Sequence, residues 1–186
     1  MIKESRIGVV LDDFGTFVLR ERLTRNDAWP DKKLLFTDGC QEGGPHLGAW
    51  EIGERYARSI INDLNRWTVG WVDWNLVLDE TCGPNHVGNF CSAPIIADTK
   101  NNRVIFQSSY YYFGHFSRFI RPGAERVQCA STRDDLEATG FLNTDGRIAV
   151  AVMNRTEQER LFALRVDDLS AETTLPARSI ATYVLD

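Results

Sequence analysis

The sequence has no long apolar run, no basic stripe and no paired metal-binding cysteines. No stretch of about 18 apolar residues occurs, so no membrane-spanning helix is expected. The net charge is −5 and no Lys/Arg run is present, which argues against a nucleic-acid surface. The opening segment MIKESRIG lacks an apolar h-region and is not read as a secretory signal, so the sequence by itself assigns no location. The four cysteines, Cys40, Cys82, Cys91 and Cys129, contain no C-x-x-C pair, and the three histidines, His46, His86 and His115, are scattered. That spacing makes no zinc signature, and the cysteines read as free thiols or small buried hydrophobes.

What is present suits a soluble chain with a real core. Of 186 residues, 43% are hydrophobic and 25% charged, enough for one ordinary domain or two small ones. Trp29, Trp50, Trp67, Trp71 and Trp74 all fall in the first 75 residues. Tryptophans are usually core, but their flat faces also stack on sugar rings.

The pattern along the chain changes near Pro122-Gly123. Before it, IGVVL suggests a strand and FVLRERLTRNDAW a helix stopped by Pro30. LLFT is a short buried strand that ends on Asp38, and QEGGPHLG is a glycine-rich loop. Residues 51–67 have apolar positions near a helical period and predict an amphipathic helix of about four turns. VGWVDWNLVL, residues 69–78, predicts one strand, with Trp71 and Trp74 on one face. This order of strand, loop, helix and strand is a β/α pattern with a parallel sheet. Residues 79–95 form a long polar loop of the kind that usually serves function. A turn at DTKNN and a helix of about ten residues in SSYYYFGHFSRF follow. After residue 123, ERVQCAST, LEATGFLN, RIAVAVMNR, RLFALRV and SIATYVLD are short strands between turn signals, an antiparallel pattern. Two domains are expected, 1–122 and 123–186.

Asp38, taken by itself, reads as a turn or cap aspartate before Gly39. Trp71 and Trp74 read as core, and Asn89 as an ordinary loop residue. The run of tyrosines at 110–112 reads as helix-to-sheet packing and His115 as a satisfied interior histidine. Asn154-Arg155-Thr156 is a glycosylation sequon, a tripeptide common by chance.

The segment from LLFTDGCQEGGPHLG through WVDWN and GPNHVGNF, then GHFSRFIRPG, resembles the glucosylceramidase-like members of glycoside hydrolase family 30. The similarity runs over about residues 27–186. It implies the last two or so β/α units of a (β/α)8 TIM barrel, followed by an antiparallel β-sandwich. It implies a retaining β-glucosidase, with a β-glucoside or a glucosylceramide-like lipid as substrate and no metal or organic cofactor. LLFT would be the seventh barrel strand and VGWVDWNL the eighth. Active groups belong at the C-terminal ends of such strands. Asp38 takes the position of the nucleophile, with Cys40 beside it. Trp74 would be a wall of the glucose pocket, and Asn89 and Phe90 would line its rim. Asp73 would hold the pocket together by hydrogen bonding.

Three departures from the family pattern stand out. The family has Glu where this chain has Asp38. The loss of one methylene withdraws the carboxylate by on the order of 1 Å, and a misplacement of that size can cost about 100-fold. A full barrel takes roughly 200–250 residues, so the fourth strand, with the acid/base carboxylate, is expected to be missing. Glu42 lies close in sequence to Asp38 but in the glycine-rich loop, and a general acid must be held rigidly in hydrogen-bond reach. Last, Cys82 stands where the family usually has glycine. These departures imply weak or no turnover by this chain alone. They leave a non-catalytic sugar-binding fragment as the rival reading. Self-association, or a partner that supplies the missing strands, is expected from the exposed edge of an incomplete barrel.

Overall fold

The computed structural model describes residues 7–8, 28–166 and 169–186, and at Ile7, Gly8 and Asp38 it describes the backbone alone. Most of the helix expected over FVLRERLTRNDAW and most of the expected strand IGVVL lie outside the described residues. The chain forms two units, Met1–Tyr111 and Tyr112–Asp186.

The first unit is built on a strand-helix-strand crossover. β1 (Ile7–Gly8) and β3 (Thr68–Asp73) both pair parallel with β2 (Lys33–Gly39), in the order β1-β2-β3. α1 (Trp50–Leu64) connects β2 to β3. It buries Ile52, Gly53, Tyr56, Ala57, Ile60 and Ile61 on one face at helical spacing, together with the carboxylate of Asp63. Each buried isoleucine contributes roughly 1.5–3 kcal/mol. The helix stops at Leu64, three residues before the expected Trp67. Asn65 N donates to Ile61 O at 3.0 Å, Arg66 N donates to Asp63 O at 2.9 Å, and Trp67 then takes φ = 71°, which no helix continues. At the other end Ser108 Oγ donates to Ala49 O at 2.7 Å and accepts from Gly53 N at 3.1 Å, so a distant serine ties down the first turn.

The strand expected over 69–78 is two strands in different sheets. β3 ends at Asp73, whose Oδ1 accepts from Trp74 N at 3.1 Å. Trp74 N also donates to Gly39 O at 2.8 Å, which closes the ladder with β2. The chain then enters β4 (Val77–Asp79), which pairs parallel with β5 (Ile95–Asp98), itself in a hairpin with β6 (Arg103–Phe106). Trp71 and Trp74 therefore do not share a face. They are an odd number of residues apart, and Trp71 packs inward while Trp74 is exposed. The hairpin turn is organised by Asp98, which is buried and accepts from Asn101 N at 3.2 Å, Asn101 Nδ2 at 2.9 Å and Arg103 Nε at 2.7 Å. Leu78, Cys91, Ala93 and Ile96 form the core of this sheet, with Cys40 and Ile105 packed against it. α2 (Ser108–Ser117) follows as expected.

The second unit is antiparallel β. β7 (Glu125–Val127), β8 (Leu136–Leu142), β9 (Ile148–Asn154) and β12 (Ser179–Leu185) form one sheet in the order β12-β9-β8-β7. β10 (Arg160–Val166) and β11 (Leu169–Leu175) form a second. The core between them holds Leu136, Val150, Val152 and Leu175, with Phe162, Leu164 and Tyr183 packed around it. β9 is buried from Ala149 to Asn154, so both its faces are covered. Thr182 Oγ1 donates to His115 O at 3.0 Å, so its oxygen is left to accept from His115 Nδ1 at 3.1 Å. Asn154, 0% exposed, donates from Nδ2 to Gln158 O at 2.8 Å and Pro176 O at 2.8 Å, and accepts from Thr156 N at 3.0 Å and Thr156 Oγ1 at 2.9 Å. The sequon asparagine is thus a buried cross-brace whose amide nitrogen is already engaged.

Candidate functional site

β2 and β3 run parallel, so their C-terminal ends come together. β2 delivers the backbone of Asp38 there, and the Trp74 N to Gly39 O bond holds the start of the next loop beside it. Under this end lies a rigid aromatic group. Trp71 stacks on Phe36 with centroids 4.5 Å apart and meets Tyr56 edge-on at 5.6 Å. Its Nε1 donates to the buried carboxylate of Asp63 at 2.9 Å. Tyr56 OH donates to Asp73 Oδ1 at 3.1 Å. Burial, then the Asp73 carboxylate, push the Tyr56 phenol far above its ordinary range, so it stays a donor at any working pH. Gly39 leaves no room for a side chain here: a Cβ would overlap Trp71 Cη2 and lie 2.8 Å from Cζ3 and 3.0 Å from Phe36 Cε1.

Two loops close over the strand ends and are zipped to each other. Ser92 N donates to Gln41 O at 2.7 Å, Glu42 pairs antiparallel with Cys91, and Gly43 N and Gly44 N donate to Phe90 O at 2.8 and 3.1 Å. Gly43 and Gly44 adopt φ of 87° and 122°, which their lack of a side chain permits. Gln107 locks the underside, with Nε2 within 2.8 Å of Pro45 O and Ser92 Oγ and 3.1 Å of Ala93 O. The longer loop is shaped by Asp79, whose Oδ1 accepts from Thr81 N at 2.8 Å, Thr81 Oγ1 at 2.7 Å and Gly83 N at 2.7 Å. The Thr81 hydroxyl and these backbone donors hold the Asp79 carboxyl below its usual range. Cys82, buried, takes φ = 65° in this turn, the backbone that favours glycine. Between the loops an open cleft of about 500 Å³ is lined by Glu42, Gly44, Glu80, Cys82, Asn89 and Phe90, among others. That volume suits a small molecule.

Of the five residues singled out from the sequence, Asn89 and Phe90 line this cleft, and Asp38, Cys40 and Trp74 stand at or just beyond the ends of β2 and β3. Asp38 ends β2, with its side chain outside the described residues. Cys40 is half-buried one residue past the strand. Burial first, then its hydrogen bond to the Cys91 thiol, push its thiol above the ordinary cysteine range, so it is protonated and unreactive at neutral pH. Trp74 is 56% exposed and Phe90 51% exposed, large apolar faces open to solvent. Asn89 donates from Nδ2 to Glu42 Oε1 at 3.1 Å. Sequence reasoning missed Ser108 and Gln107, polar side chains at a helix start that gave no motif, and it missed the Asp63–Trp71 bond.

Residues 23–120 match the glycosyl hydrolase family 30 TIM-barrel domain, and residues 123–183 match that family's beta sandwich domain. The chain belongs to glycosyl hydrolase family 30. Among family 30 relatives it is 38% identical over 163 residues to the lysosomal acid glucosylceramidase of Mus musculus, covering 84% of this chain and 32% of that protein. It is 35% identical over 170 residues to putative glucosylceramidase 4 of Caenorhabditis elegans, covering 86% and 33%. The chain thus spans about a third of the length of these relatives. Among solved structures it is similar to SrfJ from Salmonella typhimurium, with a TM-score of 0.84, 35% identity, and coverage of 90% of this chain and 38% of that one. This chain's fold is therefore part of a TIM barrel followed by an antiparallel β-sheet domain, as in family 30 structures. Among the described residues β3 has a strand partner on one side only, and no helix is long and apolar enough to cross a membrane.

Proposed function

We propose that this chain carries the nucleophile side of a retaining β-glucosidase site, acting on a β-glucoside or a glucosylceramide-like lipid. What supports it is the parallel pair β2 and β3, whose C-terminal ends carry Asp38 and, through the Trp74 N to Gly39 O bond, the exposed Trp74, next to the zipped loops that carry Asn89 and Phe90. Asp38 attacks the anomeric carbon as the glycosidic bond breaks and the leaving oxygen takes a proton from an acid. Water then releases glucose from the glucosyl-enzyme ester. Trp74 stacks on the ring, Asn89 hydrogen-bonds a hydroxyl, Phe90 walls the rim, and the protonated Cys40 packs beside the nucleophile. The barrel portion would run over 1–122 and the sandwich over 123–186. The free side of β3 would be covered by further barrel strands, through self-association or a partner segment.

The rival is a sugar-binding chain without turnover. The shorter side chain at position 38 favours it, since Glu is what the resemblance implies there. A 2-fluoro-glucosyl fluoride separates the two, because its leaving group needs no acid. Glucosyl labelling supports the proposal. Sugar binding without labelling in both the parent and Asp38→Glu favours the rival.

A further inference from the structure

We infer that Glu42 is a positioning residue that fixes which end of the Asn89 side-chain amide meets a sugar hydroxyl. The inference rests on Asn89 lying at the sugar rim, as proposed above. Glu42 is itself held in place. It pairs with Cys91 across the two loops, and its carbonyl accepts from Gln41 Nε2 at 2.9 Å and lies 2.7 Å from His46 Nε2. The adjacent amides of Gly43 and Gly44 bind Phe90 O. This pairing sets the Glu42 side chain against the 89–90 segment, 47 residues further along the chain, where Asn89 Nδ2 donates to Oε1 at 3.1 Å.

The chemistry of the pair sets its polarity. An ionised carboxylate only accepts hydrogen bonds, so the amide must turn its nitrogen toward Glu42. The Asn89 Oδ1 is then left as an acceptor on the cleft that both residues line. An acceptor fixed in place selects a hydroxyl that donates. Without Glu42, an exposed asparagine on a loop can rotate, and it would present either end at an entropic cost on binding. Glu42 therefore acts on recognition through Asn89 and does not touch the reacting atoms.

The test uses the full chain labelled with nitrogen-15, with the side-chain amide of Asn89 assigned by its loss in Asn89→Asp. Glu42→Ala and Glu42→Gln are compared for that resonance and for affinity toward a glucose-configured iminosugar, with the backbone spectrum confirming the fold. In Glu42→Ala the Asn89 resonances should move to free-amide values and affinity should fall about 5-fold, the worth of one hydrogen bond. Glu42→Gln keeps an acceptor and should lie between. Unmoved Asn89 resonances in Glu42→Ala overturn the positioning. Moved resonances with unchanged affinity overturn the role in recognition. A parent chain that binds no iminosugar sinks the glucose-pocket reading and the recognition role with it, while the resonance still reports whether Glu42 holds Asn89.

Discussion

Gly39 packs directly against two aromatic rings, and Gly39→Ala puts a number on that contact. The new methyl would overlap Trp71 Cη2 and sit 2.8 Å from Cζ3 and 3.0 Å from Phe36 Cε1. The indole cannot step aside cheaply, because it is stacked on Phe36 at 4.5 Å, set edge-on to Tyr56 at 5.6 Å and hydrogen-bonded to Asp63 at 2.9 Å. Overpacking of this kind costs about 1–3 kcal/mol. The strand must give instead, and Gly39 is the residue after Asp38. A shift of about 1 Å at a nucleophile can cost about 100-fold. Denaturant unfolding should therefore show a lower midpoint, and fluoroglucosyl labelling should slow more than stability explains. In a Trp71→Phe background, where the outer ring of the indole is gone, the Gly39→Ala penalty should shrink. The interaction energy of that cycle isolates the clash. If Gly39→Ala unfolds at the parent's midpoint, the packing argument is refuted.

Four further outcomes follow from the structure. Asn154→Ala should lose roughly 2–4 kcal/mol in denaturant unfolding, because it strands buried carbonyls that the amide now satisfies. Burial pushes the His115 pKa below its ordinary value, so the unfolded chain takes up the proton first as pH falls. Stability should be level above about pH 6.5 and fall below it, and a His115→Asn variant should lose most of that slope in thermal melts at pH 7 and pH 5. Ile60→Ala, at a site 2% exposed, should cost about 2–5 kcal/mol. The exposed faces of Trp67, Val69, Val72 and Leu76 on and beside β3 should make the chain self-associate in light scattering, and a stable monomer would contradict that expectation.

The sequence carried the first unit's helix because Ile52, Tyr56 and Ile60 fall on one helical face and the strand LLFT because its residues are apolar and end at a turn. It did not carry the break after Asp73. WVDWNLVL is β-favouring throughout, and only the tertiary bonds of Trp74 N to Gly39 O and of Tyr56 OH to Asp73 interrupt it. The hairpin of β5 and β6 hid behind its turn, since two four-residue strands give little periodicity. LSAETTL, which forms β11, is polar because it lies at a sheet edge and buries Leu175 alone. The site was legible as a set of motifs, not as geometry. QEGGPHLG and GPNHVGNF marked the loops, but their pairing through Glu42, Phe90 and Ser92 depends on backbone bonds that no spacing encodes.

Whether Asp38 bonds to an anomeric carbon can be read in a single labelling experiment. The folded chain is incubated with 2-fluoro-glucosyl fluoride, and its intact mass and its peptides are read. One fluoroglucosyl group should appear on the peptide that contains Asp38, be absent in Asp38→Ala and form faster in Asp38→Glu. A folded chain that takes no label in either the parent or Asp38→Glu, or a label on any other residue, contradicts Asp38 as the nucleophile.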